Sequence, residues 1–297
     1  MAREGRSAWA RRHGWRQVSL AAAMVVLASC STLAGPHPAA TPTASVQTAQ
    51  SGAPEGDPNA NALGPNANTP ASQWVLTWHN EFNGPVGRPA NWIYLTGGGG
   101  WSHRSLMYYT AADVSTDGHG HLVLTANKGG SSYSCWYGPC RYTSARMQTQ
   151  GTFAQVYGKF EARIKIPLGR GIWPAFWMEG PNGEIDIIET NSRKVNVVHG
   201  AAHAPGLHYP VTLTWNQPVS ASYHIFGVTW TRKGVTWTID GRAYGHLAAY
   251  PGWTLNTPFF LILDIAVGGG WPGSPDATTQ FPAHLSVDWI RVYREAH

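Results

Sequence analysis

The chain is short of charge and of cysteine. Only 12% of its 297 residues are Asp, Glu, Lys or Arg, about half the usual share, which argues against coiled coils and charged helical repeats. Its 3 cysteines are too few for a disulfide scaffold of this length. No stretch holds an apolar stripe at 3.6-residue spacing, so amphipathic helices are not expected to build the core. The apolar run at 18–29 is shorter than the ~20 residues that cross a bilayer as a helix. In surplus are 34 Gly and 15 Trp, and 43% of the residues are hydrophobic. That is enough apolar surface for a sizeable core and excludes wholesale disorder.

The sequence divides into three parts. Residues 1–29 read as an export signal: Arg3, Arg6, Arg11, Arg12 and Arg16 form a basic n-region ahead of the apolar run VSLAAAMVVLAS. The run ends in Leu27-Ala28-Ser29-Cys30, which resembles the bacterial lipobox, so Cys30 is the expected lipidation site; ordinary signal cleavage a few residues later is the other reading. Residues 30–73 form the expected linker. From 31 to 73 there is no Phe, Trp, Tyr, Lys or Arg, and 34 of those 43 residues are Ala, Gly, Pro, Ser, Thr or Asn, too little apolar surface to fold. The third part, 74–297, holds 13 of the 15 Trp and reads as one folded domain.

Its dominant signal is period two. In 159–166, Phe160, Ala162, Ile164 and Ile166 alternate with Lys159, Glu161, Arg163 and Lys165, a strand with one wet and one buried face. Further strands are expected at 74–79, 121–126, 225–230, 235–239, 259–267 and 285–293. Asp117-Gly118, Pro181-Asn182-Gly183, Asp240-Gly241 and Gly268-Gly269-Gly270 punctuate them. Many strands joined by short turns predict an all-β antiparallel sandwich or barrel. Cys135 and Cys140 bracket four residues of an exported domain, so a local disulfide is expected.

The segment GEIDIIET, residues 183–190, places Glu184, Asp186 and Glu189 at i, i+2 and i+5. On a strand the first two share a face and the third points away. One extra residue, a β-bulge at Ile187-Ile188, would return Glu189 to the same side. Repelling carboxylates on one face make sense where one stays protonated and another ionised, the needs of an acid–base pair. A calcium site built from carboxylates is the other reading of the same spacing. Upstream, Trp173 and Trp177 lie four apart on an expected strand and share a face, either as core or as a platform for sugar rings. Trp271 follows Gly268-Gly269-Gly270 on a loop, where a core role is less natural.

With those residues in view, the sequence resembles glycoside hydrolase family 16, in its bacterial laminarinase-like (endo-β-1,3-glucanase) branch. The resemblance is carried by GIWPAFWM (171–178), GEIDIIE (183–189), HGAAHAPG (199–206), WTRKGVTWTIDG (230–241), AVGGGWPGSPDATTQFP (266–282) and VDWIRVY (287–293). NEFNG (80–84) and YTSARM (142–147) fit as well. It implies a concanavalin-like β-jelly-roll sandwich of two antiparallel sheets with a concave cleft, and an endo-acting, retaining cleavage of internal β-1,3 linkages. By position, Glu184 resembles the nucleophile, Glu189 the acid/base and Asp186 the carboxylate between them. Trp173, Trp177 and Trp271 resemble cleft residues, and Arg146 and His203 resemble residues near the subsites. Asp288 and Glu81 resemble positions at a structural Ca²⁺ site; catalysis itself requires no cofactor. His199 and His203 form an H-x-x-x-H pair, but no third ligand is near in sequence.

Two departures stand out. Residues 102–107 read Ser-His-Arg-Ser-Leu-Met, where the family usually has Gly-Asn and then Glu-Leu-Gln, on the donor side of the cleft. Asp264 stands where Asn is more frequent. Rival readings are another polysaccharide (mixed-linkage glucan, a galactan or an envelope glycan), transglycosylation, or a carbohydrate-binding lipoprotein without catalysis. The expected protein is a monomer at the outer face of a bacterial membrane, or secreted, with a polysaccharide as its partner. Nucleic acid is not expected: of the formal +5, residues 1–29 carry five Arg against Glu4, and a chain from Cys30 has 16 basic and 15 acidic residues, near +1.

Overall fold

The computed structural model describes residues 74–296 apart from Ser102, Ser192 and Arg193. The expected signal, Cys30 and the linker lie outside the described residues. Among the described residues, helix is limited to the 3₁₀ turn Ala111–Asp113, and no helix is long and apolar enough to cross a membrane.

Two large sheets account for most of the strands. One has seven strands, in the order Leu207–Thr214, Val197–Ala204, Gly183–Glu189, Ile172–Gly180, Phe260–Val267, Arg146–Gln148 and Ile93–Tyr94. The other runs Arg242–Ala248, Gly234–Ile239, His224–Thr231, Gly158–Lys165, Ala283–Glu295, Leu122–Lys128, Tyr142–Ser144 and Met107–Tyr109. Trp74–Asn80 and Val114–Thr116 pair beside this path. All pairings are antiparallel save Met107–Tyr109 on Tyr142–Ser144, which is parallel. Every strand expected from alternation is present, with ends shifted by a residue or two.

The core lies between the sheets, where Phe160, Phe176, Phe226, Trp230 and Trp237 are fully buried. Each such side chain contributes about 1.5–3 kcal/mol of burial. Along Gly158–Lys165 the apolar set is buried as alternation requires, but Glu161 is buried too; Lys159 reaches it at 2.8 Å and supplies the compensating charge. Pro210 interrupts Leu207–Thr214, and this strand lies at a sheet edge, where a missing N–H costs no ladder bond.

Candidate active site

Paired residues in an antiparallel ladder share a face, so the register of the seven-stranded sheet arranges its side chains in rows. One row reads Arg146, Asp264, Ala175, Glu189, His199. The next reads Gln148, Ile262, Trp177, Asp186, Ala201. A third reads Phe260, Glu179, Glu184, His203, His208. The acidic strand enters all three rows because its register slips: Phe176 pairs Ile188 while Trp177 pairs Asp186, leaving Ile187 as the extra residue. This is the bulge that the spacing of the three acids demands.

A bulge frees backbone groups from the ladder, and the opposite sheet takes them up. Buried Trp237 donates its indole N–H to the Asp186 carbonyl at 2.8 Å, and the Tyr244 hydroxyl faces the Ile187 carbonyl at 3.5 Å. Gly200, across the ladder from the bulge, leaves room for this: a Cβ there would stand 2.6 Å from Trp237. The site is thus braced from the core side by a tryptophan and a glycine.

Electrostatics set the chemistry. Asp186 is 3% exposed, with His203 Nε2 3.0 Å from its Oδ2 and 3.8 Å from Glu184 Oε1. Burial, joined by repulsion from Asp264, pushes the Asp186 carboxyl up to about 8. Glu184 is raised by burial and then by Asp186, with His203 acting the other way. Glu189 is raised by burial and Asp186, while the hydrogen bond from Trp173 lowers it. A group of acids held this way keeps a proton among its members at a pH where free carboxylates have none. His208 Nδ1 lies 3.1 Å from His203 Nδ1, and burial holds the His208 imidazole below its usual range.

The tryptophans do more than offer a surface. Trp173 is 9% exposed and its indole N–H donates to Glu189 Oε1 at 2.8 Å, so its polar edge is committed to the acid. Trp271, partly exposed, meets Trp173 edge-on at 4.8 Å and His199 at 5.3 Å. Trp177 donates to Asp264 Oδ1 at 2.8 Å and carries the Arg146 guanidinium 4.8 Å from its ring centroid. It anchors a charged pair and is not a bare platform. Arg146 is buried between Trp101 and Trp177, 3.9 Å from Asp264, and its Nε has no partner.

Within the altered stretch, His103 packs on one of these tryptophans. The His103 ring lies 5.6 Å from that of Trp173, and Gly270 N–H donates to the His103 carbonyl. A Cβ on Gly268 would strike Leu106 and one on Gly269 the His103 carbonyl, which explains the first two glycines of the run. Beyond the stretch, Cys135 and Cys140 are bonded across the hairpin 134–139. There Trp136 donates to the Ser105 carbonyl and Arg104 covers its ring at 4.4 Å.

The expected calcium ligands lie elsewhere. Glu81 is clamped by the Arg291 guanidinium through two 2.9 Å bonds, and Asp288 receives Arg163 Nη1 at 2.6 Å. Both carboxylates therefore already hold a cation. Among the described residues, the group spaced to share a metal is Glu184, Asp186 and His203, whose ligand atoms lie within 4.8 Å of one another. His199 is outside it and bonds Thr212 instead, so the H-x-x-x-H pair is not a metal pair.

Glu179, Tyr109, Asp264 and His208 complete the site, and sequence reasoning gave them no part in it. Glu179 continues the alternation from Trp173 and Trp177, a signal open to extension; Tyr109 joins through Asp264, to which its hydroxyl donates at 2.8 Å, and through Trp101, whose ring it meets edge-on at 5.0 Å.

Residues 103–291 match the glycosyl hydrolases family 16. The chain belongs to this family. It is similar to the beta-glucanase of Rhodothermus marinus, at 33% identity over 78% of this chain and 89% of that protein. Among solved structures, it is similar to the laminarinase catalytic domain of Thermotoga maritima, at 40% identity and a TM-score of 0.71 over 76% of this chain and 100% of that one. It is likewise similar to the endo-β-1,3-glucanase of Pyrococcus furiosus, at 35% identity and a TM-score of 0.70, covering 75% and 95%. As a family 16 protein it is a glycoside hydrolase, and its two sheets form the jelly roll of these relatives.

Proposed function

We infer that this glycoside hydrolase cuts internal β-1,3 linkages of a laminarin-type glucan with retention of configuration. The observation that supports it most directly is the trio Glu184, Asp186 and Glu189 on one face, raised together and backed by Trp173 and Trp271. In this reading Glu189, whose carboxyl is held up by burial, protonates the departing glucosyl oxygen. Glu184, with His203 Nε2 3.8 Å from its Oε1, attacks the anomeric carbon as the carboxylate and forms the glycosyl-enzyme. Glu189, now ionised, takes a proton from water, which displaces Glu184 and frees the sugar. Asp186 stands between them, hydrogen-bonded to His203.

Wild type, Glu184→Gln and Glu189→Gln, assayed on laminarin, mixed-linkage glucan and galactan with product sizes, test the reading. Removal of the acid/base is expected to cost about 10²–10⁴-fold. Turnover within a few-fold of wild type in either variant refutes the assignment; cleavage confined to another polysaccharide refutes the specificity alone. For the whole chain we propose export and lipidation at Cys30, supported by the basic, apolar and Leu-Ala-Ser-Cys series at 3–30. Cys30→Ala should move the protein from the membrane fraction to the medium, and an unchanged distribution overturns this.

A further inference from the structure

The row that carries Glu189 also carries a buried carboxylate, Asp264. Asp264, Ala175 and Glu189 are direct partners on three adjacent strands, and Ala175 places only a methyl group between the two acids. Strands lie about 4.8 Å apart, so the two backbones are separated by roughly twice that. Asp264 is 5% exposed. Its Oδ2 accepts from the Tyr109 hydroxyl and its Oδ1 from the Trp177 indole, each at 2.8 Å. Both oxygens are thus supplied with donors. An amide would serve Trp177 equally well, so the two hydrogen bonds alone do not call for an acid. What the carboxylate adds is charge.

We propose that Asp264 is a positioning residue for the hydrolysis: its buried charge, two strands from Glu189, sets the pH range in which the acid/base group holds its proton. The inference rests on the role given above to Glu189. The groups facing Asp264 come from four strands. Arg146 Nη1 lies 3.9 Å away on one side and Tyr109 closes another. Trp177 contributes its indole N–H, and the acidic strand contributes Glu189 and Asp186, with His203 bonded behind Asp186 and His199 paired beyond Glu189. Asp264 repels negative charge on both Asp186 and Glu189. Arg146 offsets part of that field. With Asp264 neutral, the guanidinium would act unopposed and draw the proton off Glu189 at lower pH.

Asp264→Asn keeps the acceptor for Trp177, and its NH₂ can donate to the Tyr109 oxygen in place of accepting from it. One charge at such a separation moves a partly buried carboxyl by about 0.5–1.5 pH units. The alkaline limb of kcat/KM on laminarin is therefore expected to move down by that amount. Tyr109→Phe loosens the same network while leaving the charge, and its limb is expected to stay in place. A limb unmoved in folded Asp264→Asn, or moved equally by both variants, overturns the proposal. Asp264→Ser is the second neutral variant should the amide fail to fold. The fall of Tm between pH 5 and 8 reads the same charge without substrate and should be shallower in the neutral variants. If wild type cuts no glucan, the proposed function fails, and the Tm slope alone decides the role of Asp264: flattened supports it, unchanged overturns it.

Discussion

Asp186→Asn is expected to make the protein more stable while making it a poor catalyst. Asp186 is 3% exposed and its carboxyl is pushed from 3.8 to about 8, first by burial and then by Asp264. A group raised in the native state binds more protons folded than unfolded, so its contribution is whole below about pH 4. It is lost as pH climbs through the window from about 4 to 8. The three or so pH units between 4 and 7, at about 1.4 kcal/mol each, set a ceiling near 4 kcal/mol. Asparagine carries no charge to bury, and its carbonyl can still accept from His203 Nε2, now 3.0 Å from the carboxylate. Half of that ceiling corresponds to a Tm higher by about 4–8 °C in a domain of this size. Thermal melts followed by circular dichroism at pH 4 and pH 8 are the assay. The two proteins should coincide at pH 4 and separate at pH 8, with the variant above. A variant that melts below wild type at pH 8 would show that the site carries no electrostatic cost and refute the reasoning.

Other perturbations probe the frame around the acids. Trp173→Phe removes the N–H that Glu189 accepts at 2.8 Å; a hydrogen bond to a charged group contributes about 1.5–3 kcal/mol. The alkaline limb of kcat/KM should rise by about one pH unit, and an unmoved limb would contradict the bond. Gly200→Ala drives a methyl to 2.6 Å from Trp237 and should cost about 1–3 kcal/mol, as overpacking does, seen as a lower urea midpoint with reduced turnover. Serine at Cys135 and Cys140 opens a loop of sequence separation 5, worth about 2 kcal/mol by chain entropy. Because Trp136 and Tyr137 bond the Ser105 and Leu106 carbonyls, the larger effect should be a raised KM on long glucans with kcat little changed.

Alternation made the strands legible where it was written in branched and aromatic residues, as in 159–166 or 285–293. It failed on Val197–Ala204, whose VVHGAAHA is small and polar for a strand. The reason is the site: Gly200 yields to Trp237, Ala201 faces Asp186 across the ladder, and His199 and His203 oppose the two glutamates. A strand shaped by its neighbours across a bulge carries little propensity of its own. Leu207–Thr214 escaped notice for a different reason, because Pro210 argues against a strand until its edge position is known.

The acidic triad was legible because three carboxylates on one segment are costly and therefore conspicuous. The rest of the site is spread over strands distant in sequence and aligned only by register. Asp264 is 75 residues from Glu189 by their numbers, yet one alanine separates them on the sheet. Once the rows are assembled, the face holds Glu179, Glu184, Asp186, Glu189 and Asp264 against one guanidinium, Arg146, with His203 beside it. Such an excess cannot remain fully ionised in a partly buried setting, so protons must fill part of it. Repulsion keeps a proton on the face at a pH where a free carboxylate has lost its own, and the same repulsion is relieved when one carboxylate becomes bonded to sugar, which frees that proton for the departing oxygen. The low overall charge of the chain is therefore compatible with a strongly acidic face: the uncharged substrate requires no counter-charge, and the acids are there to be unequal to one another.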